Sequence, residues 1–233
     1  MSGPFHFKQF SIHQDRCAMK VSEIACLFGA WVPAASEVKR ILDIGSGTGL
    51  LGLMLAQRTL AHIDCVELDT EASLQSKENI QASPFTDRIT VFEQDILTYT
   101  SAYKYDLIVC NPPFFENQLP AREPKKNLAW HGSALRLTDL FACSITLLST
   151  TGTLGLVLPI QREEACIAMA SQAGLFLHKA LHVRHSGEHP VRHGFFQFGW
   201  VNHPVDSKEL LIHEGKAYSS ACRKLLKPFY LKL

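Results

Sequence analysis

The 233-residue chain has no Cys-x-x-Cys pair, no apolar run long enough to span a bilayer, no internal repeat and no low-complexity linker. Its seven cysteines (17, 26, 65, 110, 143, 166 and 222) are odd in number and scattered, mostly inside apolar stretches where cysteine behaves as a small hydrophobe. That pattern argues against a disulfide framework and a cysteine-based zinc site, and it suits a reduced, cytoplasmic protein. The opening residues, Met-Ser-Gly-Pro-Phe-His-Phe-Lys, lack the apolar core of a signal peptide, so no membrane association is expected. Charge is scarce as well: charged residues make up 19% of the chain and the net charge is +1, so the global field attracts no partner strongly. Acidic residues are absent after Glu214, whereas Lys216, Arg223, Lys224, Lys227 and Lys232 follow it. Such a tail suits either a nucleic-acid contact or a solvated helix face.

What is present is apolar: 46% of the residues are hydrophobic, enough for a full core. Short apolar runs predict strands over 40–44, 62–68, 88–93, 105–110 and 155–159, with two more over 175–183 and 195–201. Helical periodicity falls on 17–32, 50–55, 70–82 (with Thr70 as N-cap), 135–148 and 163–173, with Gly29 and Pro33 marking the end of the first. Residues 1–16 fit a lid or short hairpin better than a core element, 115–133 a long polar loop, and 210–233 a last strand or helix. Alternation at this spacing predicts an α/β fold, a doubly wound, mostly parallel seven-stranded sheet of Rossmann-like type. Its last two strands are joined by about ten residues, 184–194, too few for a crossover helix, so they form an antiparallel C-terminal hairpin. Without a linker, 1–233 reads as one domain with 1–33 as an N-terminal lid and helix extension.

Two stretches carry chemistry. In Asp43-Ile-Gly-Ser-Gly-Thr-Gly49, glycines at 45, 47 and 49 remove side chains where a strand turns into a helix, exposing backbone N–H groups to a ligand. Gly47-x-Gly49-x-x-Gly52 also matches the dinucleotide fingerprint, and Glu67 stands near the distance at which such sites hold a ribose. Asp43 weighs against a dinucleotide, because its carboxylate beside the turn repels a pyrophosphate and favours a cation such as the methionyl ammonium of S-adenosylmethionine. Asp95 is placed for an adenine amino group and Glu67 for ribose hydroxyls. The second stretch, Asn111-Pro-Pro-Phe114, follows the fourth strand. Two prolines fix the backbone so that Asn111 and neighbouring carbonyls can converge on an –NH₂, with an aromatic plane after them.

These residues resemble the S-adenosylmethionine-dependent N-methyltransferases of amino groups, within the class I methyltransferases. The opening Phe-x-Phe-Lys-Gln-Phe, His13-Gln-Asp-Arg-Cys-Ala-Met-Lys-Val21 and Leu27-Phe-Gly-Ala-Trp31 are narrower and resemble the bacterial tRNA1(Val) (adenine37-N6)-methyltransferase family over nearly the whole chain. The resemblance implies S-adenosyl-L-methionine as cofactor and the anticodon arm of a tRNA as partner. It implies Asp43, Gly45, Ser46, Gly47, Gly49, Glu67, Asp95, Ile96 and Asn111 as cofactor-binding residues, and Asn111, Pro112, Pro113 and Phe114 as the catalytic set. It also implies a Thr-Asp pair where this chain reads Glu23-Ile24, and an apolar Ile24 does not replace a carboxylate.

Five histidines crowd one stretch (His178, His182, His185, His189 and His193); as metal ligands they lack cysteine partners and straddle a predicted strand pair. They read as surface histidines, and no metal is expected. With Arg184 and Arg192 they offer a weak RNA-facing patch, and Trp130-His131 after Lys125-Lys126 is a candidate contact to the anticodon arm. A protein-glutamine methyltransferase, whose amide –NH₂ fits the same clamp, and a non-catalytic cofactor-fold module remain the alternatives.

Overall fold

The computed structural model describes residues 3–34, 36–112 and 135–233. A two-stranded hairpin, β1 (Phe5–His6) and β2 (Ser11–Ile12), comes first. It is followed by α1 (Glu23–Trp31), β3 (Arg40–Ile44), α2 (Leu50–Arg58), β4 (His62–Glu67), α3 (Thr70–Gln81), β5 (Ile89–Glu93) and β6 (Tyr105–Cys110). After the segment outside the description come α4 (Leu137–Leu147), β7 (Leu148–Pro159), α5 (Glu163–Gln172), β8 (Phe176–Ser186), β9 (Val191–Gly199), β10 (Asp206–Glu214), β11 (Ala217–Tyr218) and α6 (Ser220–Leu226).

The main sheet runs β11-β10-β8-β9-β7-β6-β3-β4-β5, with β9 and β11 antiparallel to the rest. The central strands are buried on both faces, and the alternation of their side chains shows it. Ile41, Ile63, Leu107 and Val109 enter the core beneath α1, α2 and α6, while Leu42, Val66, Ile108 and Cys110 enter the one beneath α4 and α5. Strands sandwiched this way need no polar face, which is why they read as continuous apolar runs. The chain order reverses at β3, which has β4 on one side and β6 on the other, so a crevice opens at the carboxyl ends of these strands.

The sheet departs from the expected seven strands in its second half. The described residues hold nine in the main sheet, because 206–218 adds β10, parallel to β8, and the short β11. The hairpin is also longer than the apolar runs suggested. His182 pairs with Gly194 and Arg184 with Val191, so most of the anticipated 184–194 loop is ladder. Polar residues there alternate to an exposed face, which hides a strand from a search for apolar runs.

Helix α1 starts at Glu23 and not near residue 17. Ser22 caps it, its hydroxyl accepting from the Ala25 N–H at 3.2 Å. Gly29 lies inside this helix, where a Cβ would stand 2.8 Å from Met54 Sδ on α2. The cap of α3 is Asp69, not Thr70: its Oδ1 accepts from the Ala72 N–H at 2.8 Å. The hairpin at 1–16 exists, but Phe7, Phe10 and Ile12 are core residues, packed with Phe229 in the cluster below α1 and α2. Phe7 bridges Tyr230 and its ring stacks on Phe10 at 4.6 Å.

Candidate active site

At the carboxyl end of β3 the chain makes three left-handed turns in five residues, Gly45 (φ 68°), Gly47 (φ 54°) and Gly49 (φ 79°). Among the described residues a Cβ at 45 or 47 would meet nothing within 4 Å, so these glycines serve backbone conformation and leave an open floor. Gly49 has a second reason: a Cβ there would lie 2.7 Å from Ser76 Oγ of α3.

Asp43 lies behind this turn and is fully enclosed. Its Oδ2 accepts from the Gly52 N–H at 3.1 Å, in the first turn of α2, and its Oδ1 has no partner among the described residues. Burial pushes its carboxyl up to about 7, against the Gly52 N–H, and the Glu67 charge adds to the rise. Glu67, at the end of β4, closes the turn from the other side. Its Oε2 accepts from the Gly47 N–H at 2.7 Å and its Oε1 from the Asp69 N–H at 2.9 Å. Burial raises its carboxyl too, although those N–H groups oppose the shift. Asp95 follows β5 and holds its own turn, Oδ1 accepting from the Leu97 N–H at 2.9 Å.

A cavity of about 720 Å³ opens here. Of the residues anticipated from sequence, Gly45, Gly47, Glu67, Asp95, Ile96 and Pro112 line it. Asp43, Ser46 and Gly49 stand behind the wall, buried. Asn111 is half-buried at the carboxyl end of β6, between Cys110 and Pro112 of the lining. Pro113 and Phe114 lie outside the described residues, as do Lys125, Lys126, Trp130, His131 and the 115–133 loop.

Three parts of the lining were not anticipated: Cys17–Met19, the first turn of α3 from Asp69 to Ala72, and Leu135 with Asp139. The first is delivered by a strap over α3. Asn79 of α3 accepts from the His13 N–H at 2.8 Å and donates to the carbonyls of His13 (2.8 Å) and Thr48 (3.0 Å). Gln75 accepts from the Arg16 N–H at 3.3 Å, and Gln14 accepts from the Val21 N–H at 2.8 Å. Ile24 packs against the core, and neither it nor Glu23 is part of the described lining. Among the described residues the wall carries five carboxylates (Glu67, Asp69, Glu71, Asp95, Asp139) and no Lys, Arg or His. Among the described residues only Asp139 of these five has a cation beside it as an ion pair within 3 Å, Arg136 at 2.8 Å. The wall therefore favours a cationic ligand and opposes a pyrophosphate.

The cysteines nearest this cavity are not placed to react. Burial pushes the Cys17 thiol up to about 12, helped by Glu67 and Asp69, and burial raises Cys110 well above its usual range. Elsewhere, Lys8, Arg223, Lys224 and Lys227 surround a groove of about 540 Å³ with Tyr230 and Leu231. It lies near the far end of α2, where Gln57 donates to the Pro228 carbonyl at 2.8 Å.

The histidine stretch also needs correction. Its carboxylate support comes from distant parts of the chain: His182 Nε2 sits 3.0 Å from both oxygens of Glu163, and His185 lies near Glu23.

The family model of the methyltransferase small domain matches residues 27–161. A tRNA1(Val) (adenine(37)-N6)-methyltransferase of Dyadobacter fermentans is 41% identical over 234 residues, 98% of this chain and 97% of that one. The protein of the same name from Parabacteroides distasonis is 40% identical over 238 residues, the whole of both chains. Among solved structures, a predicted O-methyltransferase of Agrobacterium tumefaciens is similar in fold, with a TM-score of 0.68 at 18% identity over 88% of this chain and 95% of that one. The glycopeptide N-methyltransferase MtfA complexed with S-adenosyl-L-methionine gives 0.58 at 9% identity, over 79% of this chain and 89% of that one. With such identity over its full length, the chain belongs to the tRNA1(Val) (adenine(37)-N6)-methyltransferase family and is an enzyme of the class I methyltransferase fold.

Proposed function

We propose that this protein transfers the methyl group of S-adenosyl-L-methionine to the N6 amino group of adenine 37 in tRNA1(Val). One observation carries the reading: a cavity at the carboxyl ends of β3–β6 whose described wall holds five carboxylates and no cation, with Asn111-Pro112 at its edge. The cofactor fits that wall. Its ammonium and sulfonium suit the acidic lining, and a cation at the glycine floor would favour the ionised form of the enclosed Asp43, whose Oδ1 has no partner among the described residues. Gly45, Ser46, Gly47 and Gly49 shape that floor, Glu67 takes the ribose hydroxyls, and Asp95 with Ile96 takes the adenine.

When bound, S-adenosylmethionine supplies a methyl group already activated by the sulfonium. The task of the protein is then alignment more than strong base catalysis. The lone pair of an adenine amine is delocalised into its ring. Asn111 Oδ1 and the Pro112 carbonyl accept its two N–H groups and turn the lone pair towards the methyl. Pro113 fixes the backbone, and Phe114 stacks on a base that has left its neighbours, an interaction worth about 1–3 kcal/mol. The proton departs after transfer, when the nitrogen is cationic and acidic, so no side-chain base is required. The thiols of Cys17 and Cys110, raised by burial, stay protonated.

Residues 1–233 act as a single domain in this reading, with the strap at 13–21 as cover for the cofactor. The groove of Lys8, Arg223, Lys224 and Lys227 holds tRNA phosphates about one helix length from the chemistry, and the protein works in the cytoplasm. Transfer from methyl-labelled cofactor to tRNA1(Val) transcript, followed by nucleoside analysis, should give N6-methyladenosine that vanishes when adenine 37 is replaced. Label on a protein glutamine and none on tRNA would keep the clamp and replace the substrate. Label on neither would sink the proposal.

A further inference from the structure

Three segments far apart in sequence meet at the carboxyl edge of the sheet, on the side away from the cavity. Glu23 is the first residue of α1, His185 the last but one of β8, and His213 the last but one of β10. One ligand atom from each lies within 4.8 Å of the others. The two imidazole rings are 4.8 Å apart at their centroids, and His213 Nε2 is 4.0 Å from Glu23 Oε1. That distance is too long for a hydrogen bond. The second ring nitrogen of His213, Nδ1, is buried with no hydrogen-bond partner among the described residues.

A further residue orients this group. Tyr218, opposite His213 in the β10–β11 ladder, stacks on its ring at 4.8 Å and 23°. Its phenol also interacts with the Glu23 carboxylate. Outer-shell donors of this kind orient metal-binding side chains.

We propose that Glu23, His185 and His213 form a site for a divalent transition-metal ion of zinc type. Two imidazoles and one carboxylate are a known zinc donor set, and metal–ligand bonds of about 2.0–2.2 Å in tetrahedral geometry need ligand atoms roughly 3.4 Å apart. Side-chain rotation from separations within 4.8 Å closes that gap around an ion. His185 is exposed, which leaves the fourth position to solvent. The ion would pin the start of α1 to the β8–β10 edge. The cluster shares the carboxyl edge of the sheet with the active cavity, with β9 and β7 lying between β8 and β6.

The test uses the full chain, cleared with chelator and titrated with Co²⁺ and then Zn²⁺. Expected are one Co²⁺ per chain with the visible absorption of a low-coordinate site, its displacement by one Zn²⁺, and a rise in Tm on binding. His185→Ala, at an exposed position, and Glu23→Gln should each weaken binding at least about tenfold, the size that even outer-shell losses reach. His62→Ala, an exposed histidine outside the cluster, should leave it unchanged. Absence of stoichiometric binding would overturn the site, and so would binding that survives either cluster variant or falls equally with His62→Ala.

Discussion

The enclosed carboxylate of Asp43 makes a prediction about stability as well as binding. Burial raises its pKa from 3.8 to about 7, the reverse of a carboxylate that gains a partner on folding. The folded state thus prefers the protonated form. The penalty for ionising Asp43 is absent below about pH 4, grows as pH rises between the two values, and is complete above about pH 7. Three pKa units at 1.36 kcal/mol each amount to about 4 kcal/mol in cofactor-free protein at pH 8. At pH 5 only about one unit has accumulated, under ~2 kcal/mol.

Asp43→Asn removes that penalty and keeps an oxygen for the Gly52 N–H. It also places an amide donor where Oδ1 now has no partner, at a cost of about 1–3 kcal/mol. The cofactor-free variant should therefore be more stable than the parent by about 1–3 kcal/mol at pH 8, with the advantage gone or reversed at pH 5. Urea unfolding at both pH values measures it. Saturating S-adenosylmethionine should reverse the order at pH 8, because the parent gains a cation beside its charge and the variant does not. A variant destabilised equally at both pH values would refute the reasoning, since a pH-independent loss is a packing defect and not the relief of a buried charge.

Asn111→Ala should lower kcat by about 100-fold with a far smaller loss of cofactor affinity, because its larger part is alignment; single-turnover methylation and calorimetry separate the two. Lys224→Glu with Lys227→Glu should raise the tRNA KM and flatten its salt dependence while kcat holds, the signature of lost phosphate contacts. Asn79→Ala breaks the bonds that tie residue 13 and the 45–49 turn to α3. It should cost about 1–3 kcal/mol of stability and weaken cofactor binding, measured by denaturation and calorimetry.

The first half of the fold was legible because its strands are buried on both faces. Residues 40–44 and 105–110 have no polar side to disguise them, and their boundaries match β3 and β6. The edge was harder to read. β10 carries Asp206, Lys208 and Glu209 on its exposed positions, so it has little apolar signal of its own and is defined by its pairing with β8. Helix starts turned on single side chains. Ser22 and Asp69 are both good caps, but Asp69 stands next to Thr70, also able to cap, and only the folded geometry chooses between them.

The site shows the same divide between local and distant information. Gly45, Gly47 and Glu67 stood out because a strand-turn-helix motif puts its chemistry within one βαβ unit. The strap at 13–21 has no such motif. Its path depends on Gln75 and Asn79, two polar residues on the buried face of a helix, where each must find a partner. A buried Asn in sequence states a debt without naming who settles it; here the partners are backbone groups of residues 13 and 48. The result links two things that look separate. The segment that leads into the lining at Cys17–Met19 is tied to the same helix whose first turn supplies the lining at Asp69–Ala72. Shifting α3 therefore moves both walls together, so the shape of the cavity is protected against motions that would open a site built from independent loops.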